Sequence, residues 1–269
     1  MMVTVVTPAL NGMRWLAECI DSVQRQASPQ VEVEHILVDG GSTDGTPEYA
    51  ASRGCTVLIR EEPSIAFAIN KGAFSSSGEL IGFLGCDDVL LPGALDTVVR
   101  RRRRDGRRWF VGGVRWVDER GASRGVVGAP PAWLTAPILA SLGWNCVAPM
   151  STYLSRDLFE ELGGLKTSFS HADDYEFFVR ALEREPFARI ARTLSCSLRR
   201  DDAMSMDRNA THLAELEAIA AQGAPRSRSR RALYHYGFKL WLNAANPRWA
   251  ALKQVDAFRA HRRQLAASA

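Results

Sequence analysis

Apolar residues along the first hundred positions alternate between two periodicities, and each change predicts a new element. Four short runs, rich in β-branched or other apolar residues, predict buried strands. They cover residues 2–7, 33–38, 56–59 and 80–84. The segments between them carry apolar residues at helical spacing and predict helices. These helices begin near residues 14, 46, 65 and 93, and the last extends to about residue 104.

Regular alternation of strand and helix predicts an α/β fold, with a mostly parallel sheet and helices on both of its faces. Ligands of such sheets bind where the strands reach their carboxyl ends. Three polar clusters follow predicted strand ends, namely Asn11-Gly12, Asp39–Gly45 and Asp87-Asp88. We therefore expect these clusters to share one edge of the sheet.

The second half of the sequence is less regular. A strand is predicted over residues 110–117 and a Gly-, Pro- and Ala-rich loop over 121–137. Helices are predicted over residues 156–162, 174–184 and 213–221. We divide the chain into a domain over residues 1–222, with halves 1–105 and 106–222, and a C-terminal helical tail over residues 223–269.

Composition is that of an ordinary globular protein, because 46% of the 269 residues are hydrophobic and 24% are charged. The five cysteines show no CxxC spacing, which disfavours a structural zinc site or a disulfide framework and fits a reducing compartment. The sequence shows no basic segment typical of a signal peptide and no apolar run long enough to span a membrane. We therefore expect a cytoplasmic location.

Charge is distributed unevenly along the chain. The formal net charge is +4, yet residues 226–269 alone carry ten Arg or Lys against one Asp. Aromatic residues are interspersed with these cations, as in helices that lie on anionic lipid at the inner face of a membrane. The tail can equally pack on the preceding domain or on a second subunit of a homodimer, and both interpretations stay open. No recognition motif for nucleic acid accompanies the charge.

The adjacent acids Asp87 and Asp88 follow a predicted strand. Two neighbouring carboxylates repel each other unless a proton or a cation compensates their charge. A divalent ion that bridges carboxylate and phosphate oxygens would do so. The alternative is an acidic cap on the helix that follows Pro92, and the pair by itself does not decide between the two.

A turn of small residues follows the second predicted strand, with the sequence Val38-Asp-Gly-Gly-Ser-Thr-Asp-Gly-Thr46. Glycine lacks a Cβ and therefore lets a planar ring or a phosphate approach the backbone. Asp39 at the start of the turn can accept a hydrogen bond from a base or a sugar. The turn matches neither GxGxxG nor GxxxxGK[ST], so dinucleotide and phosphate-loop sites are disfavoured. A plain βα turn with an aspartate cap remains the alternative.

Taken together and in order, the motifs resemble glycosyltransferase family 2, an inverting family with the GT-A fold. The motifs are Thr7-Pro-Ala-Leu-Asn11, the turn at residues 38–46, Ala68-Ile-Asn-Lys-Gly72, residues 77–88, Ser151–Phe159, Gly163-Gly164 and Ala172–Arg180. The likeness covers residues 2 to about 205. It resembles bacterial enzymes that build exopolysaccharides, O-antigens or other glycoconjugates.

The resemblance implies a role for each matching residue on the donor side. Residues Pro8, Ala9 and Asn11 would line the nucleotide pocket, and Asp39 would contact the nucleobase. Residues Asn70 and Lys71 would lie near the ribose and diphosphate. Asp87 would face the ribose or the metal, and Asp88 would bind the metal, which would be Mg²⁺ or Mn²⁺.

On the acceptor side, the resemblance implies that Asp174 is the general base and that Asp173 accompanies it. Inverting transfer needs such a base, because the acceptor hydroxyl must lose its proton as it attacks the anomeric carbon. The alternative is that both aspartates lie at the N-terminus of a helix, where acidic side chains complement the helix dipole and have no catalytic role. Beside the pair, His171 is either an acceptor contact or an ordinary capping residue.

The sequence departs from the family pattern at two places. The metal site has adjacent acids, where relatives often have acids separated by one residue. After the base helix, relatives often carry a basic residue followed by His and Ser, and here Arg199-Arg200-Asp201-Asp202 stands in that place. Either of these aspartates, or water, could supply a third metal ligand. Arg199 or Arg200 could pair with the diphosphate.

The resemblance implies metal-dependent transfer of a hexose-like unit from a nucleoside diphosphate sugar to a hydroxyl. The acceptor would be a glycan, a lipid-linked molecule or a small molecule. UDP is the favoured donor nucleotide, while GDP and dTDP stay open. The alternatives are a sugar nucleotidyltransferase and a catalytically inactive sugar-nucleotide-binding module. The first should carry a basic glycine-rich loop after the first strand, and residues 10–14 match that poorly.

Overall fold

The structure is a computed structural model that describes residues 1–60, 62, 64–128, 131, 135, 145–199, 210–223, 236, 237, 240 and 244. Most of the predicted tail at residues 223–269 lies outside this part of the chain. The predicted diphosphate or metal contacts Arg200, Asp201 and Asp202 lie outside it as well.

Strands and helices alternate through the first half, as the pattern predicts. The strands are β1 (Met2–Ala9), β2 (Glu32–Asp39), β3 (Thr56–Ile59), β4 (Leu80–Phe83) and β5 (Asp88–Leu90). The helices are α1 (Met13–Gln24), α2 (Thr46–Ser52), α3 (Ile65–Phe74) and α4 (Ala94–Asp105). Strand β5 was not predicted, and it places Asp88 in a strand. The residue that caps α4 is Gly93, so the Asp87-Asp88 pair is not the cap of that helix.

The second half contains more strand than the sequence predicts. Its strands are β6 (Trp109–Val117), β7 (Ser123–Val127), β8 (Thr152–Ser155) and β9 (Ala188–Leu198). Its helices are α5 (Arg156–Glu161), α6 (Asp173–Arg184) and α7 (Ala210–Gly223), and a 3₁₀ turn lies at Pro149–Ser151. The loop predicted over residues 121–137 is wrong at 123–127, because β7 pairs there with β6.

All nine strands in the described part of the chain belong to one sheet. Their order is β3-β2-β1-β4-β8-β6-β9-β5, and β7 pairs with β6 outside this path. Strand β1 is parallel to β2 and β4, and β2 is parallel to β3, which gives the predicted parallel arrangement in the first half. The second half is mixed: β8 is antiparallel to β4 and β6, whereas β6 and β9 are parallel.

Both faces of the sheet are covered, which explains why β1 is buried without interruption from Val3 to Thr7. Along β1, Val3 and Val5 belong to the apolar cluster that includes residues of α4, whereas Val6 belongs to the cluster that includes residues of α3 and α6. Parallel strands buried on both faces are characteristically rich in apolar and β-branched residues, as β1 is. None of the helices in the described part of the chain combines the length and the apolar character needed to span a bilayer.

Helix α3 packs closely on the sheet at Gly72. A Cβ at this position would lie 2.5 Å from Val6 Cγ1 and 3.1 Å from Val38 Cγ2. Both valines are fully buried, so neither can move aside without disturbing the core. The glycine therefore sets how closely α3 approaches β1 and β2.

Replacing Gly72 with alanine is expected to lower the thermal midpoint of unfolding by a few degrees. Overpacking a core costs about 1–3 kcal/mol, which exceeds the roughly 1 kcal/mol that alanine contributes within a helix. Thermal denaturation followed by circular dichroism would measure the change. The control is Gly128→Ala, where the nearest atom to an added Cβ is 3.9 Å away. A Gly72→Ala protein as stable as this control would contradict the close packing.

Candidate functional site

The strand register brings the predicted donor residues to one edge of the sheet. Ala9 at the end of β1 pairs with Asp39 at the end of β2, and Asp39 pairs with Ile59 at the end of β3. Pro8 stands one position earlier, beside Val38. The segments that follow these three strands therefore emerge side by side, at the edge where open α/β sheets bind ligands.

Asp39 is almost fully buried, with 1% of its surface exposed, and its two carboxylate oxygens differ in their surroundings. Oδ2 accepts hydrogen bonds of 2.8 Å from the backbone amides of Gly41 and Ser42, which fixes the turn. Oδ1 is buried and has no hydrogen-bond partner among the described residues. A buried acceptor without a partner is costly, so this atom suits a ligand that brings its own donor.

The loop after β1 and the turn after β2 are joined by several hydrogen bonds. Asn11 adopts a positive φ of 50°. Its backbone amide donates to Ser42 Oγ at 2.8 Å, and its Oδ1 accepts from the Thr43 amide at 3.0 Å. The Met13 amide donates to Asp44 at 3.0 Å, and the hydrogen bond from the Thr46 hydroxyl to Asp44 holds the pKa of that carboxyl below its usual value. The ligand edge is therefore organised by the protein itself.

Arg60 is a candidate site residue that the sequence analysis missed. Its backbone amide donates to the Asp39 carbonyl at 2.9 Å, and its guanidinium lies over Gly40. A Cβ at Gly40 would come within 2.6 Å of Arg60 Nη2 and 2.7 Å of Nε. Arg60 directly follows β3, so its place at the carboxyl end of a strand was the signal that could have found it. A cation here would suit an anionic ligand beside Asp39.

Lys71 and Asn70 on α3 both contact backbone. The Lys71 Nζ donates to the Ile59 carbonyl at 2.6 Å, which puts this cation at the end of β3. The Asn70 amide donates to the Leu165 carbonyl at 2.7 Å and accepts from the Leu165 amide at 2.8 Å. Asn70 thus joins α3 to a segment 95 positions later. That either side chain also contacts a ribose or diphosphate stays a prediction.

The carboxylates of Asp87 and Asp88 converge over Gly85. A Cβ at Gly85 would lie 2.9 Å from Asp87 Oδ1 and 3.0 Å from Asp88 Oδ2, so any side chain there would push the pair apart. Asp88 is buried, and β5 pairs it with Ser197 of β9. Burial, followed by the charge of Asp87, raises the pKa of Asp88 to about 7.

The acidic pair fits a divalent cation in its chemistry. A cation would relieve both causes of the raised pKa, because it compensates the buried charge and the repulsion between the carboxylates. Within the described residues no cluster of three acidic, histidine or cysteine side chains could enclose a metal ion. Mg²⁺ in nucleotide sites commonly takes one or two carboxylates and completes its shell with phosphate and water, so a pair of carboxylates is compatible with such a site.

Asp174 and Asp173 are the first two residues of α6. Asp174 is half-buried: its Oδ2 accepts from Asn145 Nδ2 at 2.8 Å, and its Oδ1 accepts from the Tyr175 amide at 2.6 Å. Burial, followed by the charge of Asp173, raises the pKa of Asp174 to about 7. Burial also raises the pKa of Asp173. A carboxylate of this pKa can accept a proton near neutral pH.

Asn145, the residue that holds Asp174, was also missed by the sequence analysis. It lies outside every motif, and a lone asparagine in a poorly patterned segment gives no signal. Of the remaining predictions, Arg199 follows β9, where its amide donates to the Val117 carbonyl at 2.8 Å. The His171 ring stacks on His212, with 5.7 Å between ring centroids. Neither contact shows a ligand.

The chain is similar in sequence to a known family of proteins. The family described as "Glycosyl transferase family 2" matches residues 4–163 of the chain. A PGL/p-HBAD biosynthesis glycosyltransferase of Mycobacterium tuberculosis is 34% identical over 105 residues. That match covers 37% of this chain and 40% of the relative, so the chain spans less than half of the relative's length.

Solved structures share the fold. S. aureus TarS in complex with UDP superposes with a TM-score of 0.62 and 16% identity, covering 87% of this chain and 69% of that one. The glucosyl-3-phosphoglycerate synthase of M. tuberculosis, in complex with Mn²⁺, UDP and phosphoglyceric acid, gives a TM-score of 0.54 and 24% identity. That match covers 84% of this chain and 80% of the synthase. At these identities the similarity establishes the architecture alone.

Proposed function

The chain belongs to glycosyl transferase family 2, and we propose that it transfers a sugar from a nucleoside diphosphate sugar to an acceptor hydroxyl, with inversion and with a divalent metal. The observation that carries the proposal is the Asp87-Asp88 pair gathered over Gly85. Such a pair suits a cation that binds a donor diphosphate. The acceptor is a glycan, a lipid-linked molecule or a small molecule.

The donor binds along the carboxyl ends of β1, β2 and β3 in this proposal. The nucleobase lies against Asp39, whose buried Oδ1 accepts its hydrogen bond. Uracil offers a single ring N–H on its pairing edge, which suits a single acceptor atom better than the several donors of guanine do. Thymine carries the same N–H, so this argument disfavours GDP alone; UDP is the nucleotide we propose, and dTDP stays open. Arg60 and Lys71 stand at the end of β3, where their charges attract the diphosphate.

The chemical step requires proton removal from the acceptor. The carboxylate of Asp174 takes the hydroxyl proton as the acceptor oxygen forms its bond to the anomeric carbon. The bond between that carbon and the diphosphate oxygen breaks, and its electron pair leaves with the nucleoside diphosphate. Attack from the face opposite the leaving group inverts the anomeric centre. A divalent ion at Asp87 and Asp88 would supply charge compensation for the departing diphosphate.

A binding screen followed by product analysis tests the proposal. Titration calorimetry with UDP-, GDP- and dTDP-sugars, each with and without Mn²⁺, should show metal-dependent binding of the UDP-sugars. Incubation with acceptors should release nucleoside diphosphate. Release of pyrophosphate from a sugar phosphate and a nucleoside triphosphate would favour the nucleotidyltransferase alternative. Absence of binding by every donor, with and without metal, would refute the proposal.

Replacing Asp39 with asparagine is expected to weaken UDP binding by about 10- to 100-fold, because it leaves two donors facing each other in a buried site. The asparagine oxygen can keep the hydrogen bonds from Gly41 and Ser42, so the turn persists. Its amide group then replaces the acceptor Oδ1. Calorimetry with UDP measures the loss, and Glu48→Gln on the exposed side of the neighbouring helix is the matched control. Equal affinities would exclude Asp39 from the base contact.

A further inference from the structure

Three consecutive backbone amides just before α6 share one carboxylate. The Ser170 amide donates to Glu215 Oε1 at 2.8 Å, and the amides of His171 and Ala172 donate to Oε2 at 3.0 Å each. Ala172 is the residue that caps α6, and its own side chain has no polar atom to do so. The amides of the three residues that precede α6 are therefore satisfied by a side chain of α7, more than forty positions later.

Helix α7 is itself anchored on the core beside α6. Ile219 is buried in the same apolar cluster as Tyr175 and Phe178 of α6. One turn before Glu215, the His212 ring stacks on His171 with an interplanar angle of 17°. Glu215 is thus presented by a packed helix, and its carboxylate is held where the three amides point.

We propose that Glu215 is a positioning residue for sugar transfer, holding residues 170–172 so that Asp174 meets the acceptor. This inference rests on the proposed function of Asp174 as the base. Asp174 lies two residues beyond Ala172, and its carboxylate is also held by Asn145 and by the Tyr175 amide. Asn145 fixes the carboxylate itself, whereas Glu215 fixes the backbone from which it projects.

Charge provides a second route from Glu215 to the base. Its carboxylate contributes to the raised pKa of Asp173, after burial, while the charge of His171 acts in the opposite direction. Asp173 in turn raises the pKa of Asp174. Within the described residues, Glu215 acts electrostatically on Asp173 and is itself affected by His171, and Asp174 is reached through Asp173. His212 lies three positions before Glu215 on the same helix. Removal of the Glu215 charge should lower the pKa of the aspartate pair.

A purely structural cap would affect stability and nothing else, so the test must separate the two roles. The variants are Glu215→Gln, which keeps one acceptor oxygen without the charge, and Glu215→Ala, which removes both. Glu217→Gln, at an exposed position two residues along α7, is the matched control. All are full-length proteins, compared at a temperature where each is folded by circular dichroism.

The expected result is a fall in kcat with an unchanged KM for the donor. Misplacement of a reacting group by about 1 Å costs up to roughly 100-fold, so we expect a loss of about 10- to 100-fold for Glu215→Ala and a smaller loss for Glu215→Gln. In Glu215→Gln the acid limb of the pH profile should move to lower pH. Hydrogen exchange at residues 170–172 should quicken in Glu215→Ala, and Glu217→Gln should match the wild type throughout.

Different outcomes separate this inference from the function on which it rests. Wild-type kcat in folded Glu215→Ala, combined with faster exchange at residues 170–172, would make Glu215 a structural cap and overturn the inference alone. A parallel rise in donor KM would also overturn it, because the effect would then extend to the donor half. A wild-type protein that transfers no sugar from any donor would overturn both.

Discussion

Asp174→Asn is expected to reduce sugar transfer by about a thousandfold while leaving the affinity for the donor unchanged. Removing a general base typically costs 10²- to 10⁴-fold, and asparagine cannot accept the proton of the acceptor hydroxyl. Asparagine has nearly the shape of aspartate, and its oxygen can still accept the hydrogen bond from Asn145. Steady-state rates and UDP calorimetry on the same preparation measure the two quantities.

The pH dependence of transfer provides a second check on the same residue. The pKa of Asp174 is raised to about 7 by burial and by the charge of Asp173. Only the ionised form can accept a proton, so kcat/KM of the wild type should rise with pH through about 7 and then level off. Asp157→Asn, on the exposed start of α5, is the control and should keep both rate and profile. Substantial turnover by Asp174→Asn would move the base to Asp173 or elsewhere.

Asp88→Asn is expected to abolish metal-dependent donor binding and, at the same time, to stabilise the metal-free protein at alkaline pH. The folded-state pKa of Asp88 is raised from 3.8 to about 7. The folded protein therefore binds this proton more tightly than the unfolded chain does. Stability contributed by that proton is complete below pH 4 and is lost as pH rises toward 7. Asparagine carries no charge and escapes this loss.

The gain should therefore be larger at pH 8 than at pH 5, by roughly 2–3 kcal/mol for a pKa raised from 3.8 to about 7. Chemical denaturation in the presence of a chelator measures it at both pH values. The control is Asp157→Asn, whose carboxylate is 61% exposed and pairs with Arg108, so its loss should change stability by less than about 1 kcal/mol. An Asp88→Asn protein less stable than the wild type at pH 8, or one that retains a full Mn²⁺ effect on UDP binding, would contradict the assignment.

Much of the first half was predictable because its strands carry their signal locally. Strand β1 is rich in buried β-branched residues and β2 carries the apolar run Ile36–Val38 near its end, and turn residues such as Gly45 follow β2. Strand β5 was not predicted from the sequence because it has only three residues and begins with Asp88. Strand β9 was not predicted because Arg189 and Arg192 interrupt its apolar pattern. Its pairing with β6, which lies far away in the sequence, stabilises it as a strand.

The candidate site divides in the same way. Asp39, Asp87 and Asp174 belong to motifs and could be selected from the sequence. Arg60, Asn145 and Glu215 belong to no motif. They were identified as candidates from their contacts with residues that lie far away in the chain. Glu215 is the clearest case, because three amides more than forty positions earlier define its environment. Such a contact arises from tertiary packing, so no hydrophobic periodicity in the sequence predicts it.

The strand order has a consequence for modularity. The division at residue 105 separates β5 from its partner, because β5 crosses the sheet to pair with β9 at the opposite edge. Strand β4 likewise pairs with β8. A fragment ending at residue 105 would expose the edge of β4 and leave Asp88 without its neighbour Ser197. Exchange of acceptor halves between relatives would therefore have to redesign β5 with β9, so evolution is expected to have changed these two strands together.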